Sequence, residues 1–333
     1  MQVLANNGGN PRTLVLIEPL WGIPYNLISP FATLYMYAQG ITDVQIGLIL
    51  SVTMVVQVFF SFFAGILADK LGRKFTTMMG DFFGWALACL VWAASHNFWL
   101  FLTAAILNCF EQINQTAWYC LLIEDADQND LVGLYTWINI GGLVAIFFAP
   151  LSGLFINSYS VVPVIRVLYV VFSLTMLLKT FITFRFCRET RQGQIRRAET
   201  KNVSALHMLG EYRQLIPRML HNRAMMKAVA AKCEAAGVKC LERRLARLKF
   251  RVPMWVGLVV YAAAALLLIL TPEGNLPLVV LYVFAGAVAA ALVNPRKDAL
   301  VQLNINPQER ARINALVMAS TIACSSPFGY FAG

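Results

Sequence analysis

Gly65-Ile-Leu-Ala-Asp-Lys-Leu-Gly-Arg-Lys74 puts four charges and two glycines between two long apolar stretches. Each flanking stretch is long enough to cross a bilayer, so the segment reads as a charged hinge between two membrane helices. Gly65 lets a neighbouring backbone come close, Asp69 supplies a carboxylate and Gly72 permits a tight reversal. Lys70, Arg73 and Lys74 are expected to set three cations beyond the membrane edge. An ordinary turn with retained cations would not need six typed positions at fixed spacing.

Composition agrees with a life in lipid. Hydrophobic residues make up 59% of the 333 positions and charged residues 13%, with a mean hydropathy of +0.63, which is too apolar for a soluble domain of this length. Of 27 Lys and Arg, 17 lie between Arg185 and Arg251 beside 5 of the 17 acids, so that segment carries +12 and the remainder −2. Basic charge concentrated in one loop is the signature of a cytoplasmic segment and argues against a nucleic-acid partner. The seven cysteines fall mostly in apolar spans or in the basic loop, and imply no disulfide framework. The first apolar run lacks a basic leader and a small-residue cleavage site, so it reads as a retained helix.

Spans are expected near 13–38, 44–67, 75–95, 98–122, 131–157 and 161–185, followed by three more near 253–271, 277–299 and 311–332. The connections at 39–43, 95–98 and 157–161 contain no Lys or Arg, whereas the hinge at 65–74 and the segment after 185 are basic. Both ends of the first half, the N-terminus included, are therefore expected on the cytoplasmic side. Three regions result: a six-helix bundle over 1–187, a basic cytoplasmic linker over 188–252, and a partial second bundle over 253–333. Within the linker, Ala224 to Leu248 carries eight charges, each costing about 2.5–3.5 kcal/mol at a span centre. It is expected to be an amphipathic helix that does not cross. Cys233 and Cys240 there, two turns apart and without a second pair, do not make a metal site.

The hinge motif resembles that of the major facilitator superfamily, G-x-x-x-D-[RK]-x-G-[RK]-[RK] between helices 2 and 3, and every constrained position is matched by Gly65, Asp69, Lys70, Gly72, Arg73 and Lys74. The resemblance implies an all-α bundle and transport of a small molecule by alternating access. It covers helices 1–6 well. The last three spans look like helices 9, 10 and 11, because Ser326-Pro327-Phe328-Gly329 repeats the placement of Ala149-Pro150-Leu151-Ser152-Gly153. About nine spans stand against the family's twelve, with counterparts of helices 7, 8 and 12 missing. Loss of 7 and 8 as a pair keeps the orientation of the later spans. Proton-driven exporters of the family carry G-P-x-x-G in helix 5; Pro150 and Gly153 match it and Ala149 departs from it. This favours proton-coupled export over a proton-coupled uptake symporter. A truncated membrane protein that does not transport is the competing reading.

Ionisable residues inside spans are candidates for function. Glu111 stands near mid-span beside Gln112, Asn114 and Gln115, where desolvation makes its charged form costly and proton exchange feasible; a structural partner would neutralise it instead. Glu18, Asp81 and Lys179 lie one to two turns inside the cytoplasmic ends, where they either pair with one another or meet a substrate. Arg166 is expected to snorkel to the outer face. Tyr25, Asn26, Gln57 and Asn139 are candidates for the same cavity or for helix–helix hydrogen bonds. Asp69 is expected to latch the halves by facing the N-terminal amides of the helix starting near Ala311, with Arg310 or Arg312 in reach. No Walker A pattern and no Ser-His-Asp, His-Glu-x-x-His or Cys-x-x-Cys arrangement occurs in the sequence. The chain therefore reads as a carrier, not an enzyme. Its partners are lipid, proton and a small molecule, and no cofactor is implied.

Overall fold

The computed structural model describes residues 9–127, 130–205, 207–210, 251–269, 276–303 and 305–332. All regular structure among them is helical: α1 Asn10–Ile17, α2 Pro19–Ile28, α3 Ala32–Ala38, α4 Asp43–Leu71, α5 Arg73–Asp81, α6 Ala88–Ala94, α7 Phe98–Asn108, α8 Glu111–Ile123, α9 Leu131–Ile146, α10 Ala149–Tyr159, α11 Val161–Phe186, α12 Arg191–Thr200, α13 Arg251–Ile269, α14 Leu276–Leu303 and α15 Arg310–Ala332. Among the described residues, four continuous or kinked stretches are long and apolar enough to cross a membrane: Asp43–Leu71, Arg73–Ala94, Leu131–Tyr159 and Val161–Phe186. Val44, Val55 and Phe147 on them are more than two-thirds exposed, as side chains facing acyl tails would be. Trp99 and Tyr159, near span ends, are equally open.

The expected spans 13–38 and 98–122 are each broken. Pro19 has no N–H to give, and the first span steps from α1 to α2 at Glu18, whose carbonyl accepts from both Trp21 and Gly22 at 3.0 Å. Pro30 then forces a single 3₁₀ turn before α3. The second break falls at Cys109 and Phe110, where i→i−3 bonds tighten the chain just ahead of Glu111. Between α5 and α6, Phe82–Leu87 forms a π-helical turn. Two of its carbonyls are taken by side chains: Gly84 O accepts from Asn108 at 2.6 Å and Ala86 O from Ser173 at 2.8 Å. By contrast α4 runs 29 residues without interruption, closed at its start by a reciprocal Thr42–Gln45 cap.

The last helices close on the first half. α15 packs along α4, and α14 along α9. Where α4, α8 and α15 meet, five of the buried side chains are alanines, Ala64, Ala68, Ala117, Ala311 and Ala315, beside Ile113 and Cys120, and the alanines are small enough for backbones to approach closely. The short helix α12 occupies the start of the expected linker and lies against α4. The expected amphipathic helix at 224–248, with Cys233 and Cys240, lies outside the described residues. Cys89, Cys109, Cys120 and Cys187 are free and buried.

Candidate functional site

Glycine sets the packing at the centre of the first half. A Cβ at Gly80 would overlap Asn114, lying 2.8 Å from its Cα, and one at Gly84 would lie 2.8 Å from the Glu111 amide nitrogen. These two glycines, four residues apart, seat α8 directly on the end of α5 and on the π turn. Beside that seam lies a cavity of about 180 Å³. Glu111, Asn114, Gln115, Trp118 and Tyr119 of α8 form one wall; Glu18 and Trp21, Trp85, Ile138 and Lys179 complete it. Glu111, Asn114 and Gln115 share one helical face, as i, i+3 and i+4 must, whereas buried Gln112 is not among the lining residues.

Lys179 Nζ lies 3.5 Å from Glu18 Oε2 and 3.7 Å from Asp81 Oδ1. Asp81 is fully buried, and its Oδ1 also accepts from Asn114 Nδ2 at 2.7 Å. Tyr25 stacks on Trp21 at 4.9 Å and meets Trp85 edge-on at 5.9 Å, next to the cavity but not in its lining. The other uncharged candidates go elsewhere. Asn26 and Asn139 donate to carbonyls of their own helices, at Gly22 and Tyr135, and Gln57 is not in the lining. Arg166 is half-buried, and its guanidinium reaches Tyr35 Oη and the Ser95 carbonyl, each at 3.4 Å.

At the hinge the three cations are held in different ways. Arg73 is fully buried. Its Nη1 donates to Asp69 Oδ1 and to the Ala68 carbonyl, both at 2.8 Å, and its Nε bridges Glu124 at 3.2 and 3.3 Å. Lys74 is half-buried, bonds the Phe184 carbonyl at 2.8 Å and lies over that ring. Lys70 is half-buried and Gly65 is buried. Gly72 has φ +93°, and a Cβ there would strike the Glu189 carboxylate, which caps α5 by accepting from the amides of Arg73 and Lys74 at 2.8 and 3.1 Å. Asp69 is tied to α15, although by a side chain: Arg312 Nε donates to its Oδ2 at 3.1 Å. Arg196 of α12 reaches the same oxygen at 3.2 Å, and Thr200 Oγ1 donates to the Asp69 carbonyl at 3.2 Å. Pro150 starts α10 after a break at Phe147 and Phe148, and Gly153 lies against Phe31.

Glu124, Glu189, Thr190 and Arg196 were not visible as parts of this junction, because their partners lie 51 to 127 positions away. Only Thr190 carried a local sign, standing ahead of a helix whose Gly193 amide it caps at 2.9 Å. Burial raises the Glu124 carboxyl above its ordinary range. Arg73, the Thr190 hydroxyl and Arg310 pull it back in part.

The family model described as Major Facilitator Superfamily matches residues 20–233, more than half of the chain. Among curated proteins, the chain is 30% identical over 151 residues to the uncharacterized MFS-type transporter YqjV of Bacillus subtilis, covering 43% of this chain and 36% of that one. It is 29% identical over 180 residues to the multidrug resistance protein MdtG of Salmonella arizonae, covering 52% and 43%. The chain thus spans about two fifths of the length of these relatives. Among solved structures, the human organic anion transporter MFSD10 has a TM-score of 0.60 at 14% identity, covering 96% of this chain and 91% of that one. The proton:xylose symporter XylE gives 0.58 at 10%, covering 95% and 86%. At such identities the likeness is one of fold.

Proposed function

Because this chain belongs to the major facilitator superfamily of transporters, we propose that it carries a small molecule across the cytoplasmic membrane by alternating access, as proton-coupled export. The observation that supports this most is Glu111. It begins a helix at a mid-span break, faces a cavity walled by three tryptophans, and has the charges of Asp81 and Lys179 within electrostatic reach. A discontinuous helix presenting a carboxyl to a membrane-embedded cavity is a place where ligand and proton can compete. Export is favoured by the Ala149-Pro150…Gly153 bend and by the likeness to MdtG, a multidrug resistance protein by name.

In this reading Glu18, Asp81, Glu111 and Gln115 serve the substrate and proton route, with Tyr25 at its aromatic edge. The hinge residues Gly65, Asp69, Lys70, Gly72, Arg73 and Lys74, with Pro150 and Gly153, govern the change of access. The tie from Asp69 to Arg312 holds the cytoplasmic end closed and must part when the cavity opens that way. The full chain reconstituted in vesicles with an imposed proton gradient tests the proposal, using a panel of cationic, neutral and anionic drug-sized compounds. Gradient-driven movement of at least one compound is expected, and Glu111→Gln should abolish its dependence on the gradient. Movement no faster than in protein-free vesicles for the whole panel overturns the transport reading; gradient dependence that survives Glu111→Gln removes Glu111 from the coupling.

A further inference from the structure

We propose that Glu18, Asp81 and Lys179 form a proton-binding site of their own, separate from Glu111, which holds one exchangeable proton. The three come from distant parts of the chain: the joint between α1 and α2, the last residue of α5, and a point about two turns before the end of α11. One ammonium stands between two carboxylates at 3.5 and 3.7 Å. Both distances exceed the 2.7–2.9 Å of a committed charge-assisted bond. The arrangement is a shared cation, not a closed ion pair.

Charge and hydrogen bonding point the same way. With all three groups ionised the site is −1, and the Asp81 and Lys179 side chains are at least 96% buried, where an uncompensated charge is disfavoured. Asp81 Oδ2 is a buried acceptor with no hydrogen-bond donor among the described residues, and Glu18 Oε2 has only the Lys179 ammonium at 3.5 Å. A proton delivered by hydronium to either carboxylate makes the site neutral: one O–H bond forms on the carboxylate, one O–H bond of the hydronium breaks to leave water, and no electron moves. Among the described residues, the groups facing the triad supply no second cation. From α8 come Asn114, which donates to Asp81 Oδ1, and the acid Glu111; Tyr119 of the same helix lies in the cavity wall. Glu18 and Lys179 line the cavity while Asp81 lies behind them, so the proton's route is through the cavity.

The inference takes its purpose from the proposed proton coupling, but its test needs no transport. Infrared spectroscopy of the purified full chain across a pH series reads the carboxyl C=O band of buried, protonated acids. In the Glu111→Gln background one such band is expected to persist to neutral pH and vanish on alkalinisation. Adding Glu18→Gln or Asp81→Asn should abolish it, because either leaves a neutral carboxylate–ammonium pair. Adding Lys179→Met should instead carry the band to more alkaline pH. Glu18→Gln keeps the test decisive if Asp81→Asn does not fold. A band unmoved by Glu18→Gln and Lys179→Met, or absent from the Glu111→Gln background, overturns the site. Failed gradient-driven movement with the band behaving as expected would overturn the export reading alone.

Discussion

Charge is buried in two places, and the two are built on opposite plans. At the hinge, Asp69 and Glu124 meet Arg73, Arg196 and Arg312 at 2.8 to 3.3 Å, and each of their four carboxylate oxygens has a donor. The orphaned atoms there are guanidinium nitrogens, Arg73 Nη2 and Arg196 Nε. In the cavity region Glu18 and Asp81 share one ammonium, and each keeps a buried carboxylate oxygen without a committed donor. A cluster with donors to spare holds its geometry fixed; a cluster with acceptors to spare invites a proton. The hinge cluster also joins residue 69 to residue 312, whereas the cavity cluster stays within the first 179 residues. One is suited to hold the two halves together, the other to respond to what enters between them.

The sharpest way to break this contrast is to remove the cation from each cluster. Arg73→Met leaves two buried carboxylates that had full partners, and should cost about 3–5 kcal/mol of stability, read from unfolding in detergent. Lys179→Met should cost clearly less, because its carboxyls can take up a proton; equal losses would put both clusters on one plan. Gly80→Ala comes next. The added methyl has no room against Asn114 and should destabilise by about 1–3 kcal/mol, with a change in the fluorescence of Trp85 and Trp118 as the seam opens; an unchanged spectrum would show that the cavity does not depend on this contact.

A smaller effect separates locking from folding. Asp69→Asn should leave the protein folded but shift the equilibrium toward an open hinge end by about tenfold, measured as label-to-label distances between positions 71 and 307. Distances that stay put would deny the latch. The smallest effect concerns Thr190→Val, which removes both the cap on Gly193 and the donor to Glu124, at about 1 kcal/mol. Because the Glu124 carboxyl is raised in the folded chain, the fold binds its proton more tightly than the unfolded chain does. Stability therefore gains on acidification through that range and is lost as pH rises through it. The lost hydroxyl had favoured the charged form, so the deficit of Thr190→Val should be largest at neutral pH and shrink toward acid. A pH-independent deficit would assign Thr190 to capping alone.

Sequence alone determined that the chain lives among lipid, where its apolar runs lie, and that residues 65–74 form a tight charged reversal. These follow from hydropathy, from the need for about 20 apolar residues per span, and from a motif whose residues are neighbours in the chain. It also singled out Glu18, Asp81, Glu111 and Lys179, because charge inside an apolar run is conspicuous wherever the run folds. What only tertiary structure decided is which charges meet. Asp69, four positions back, could be guessed as a partner of Arg73; Glu124 and Glu189, which complete its surroundings from 51 and 116 residues away, could not. The polar residues Asn26 and Asn139 looked equivalent to Gln115, yet a side chain that can reach the carbonyl one turn back on its own helix has no need of a cavity. Local order is set by spacing along the chain, which can be read directly, whereas the pairing of charges is set by helix crossings and by the two glycines that let α5 and α8 touch.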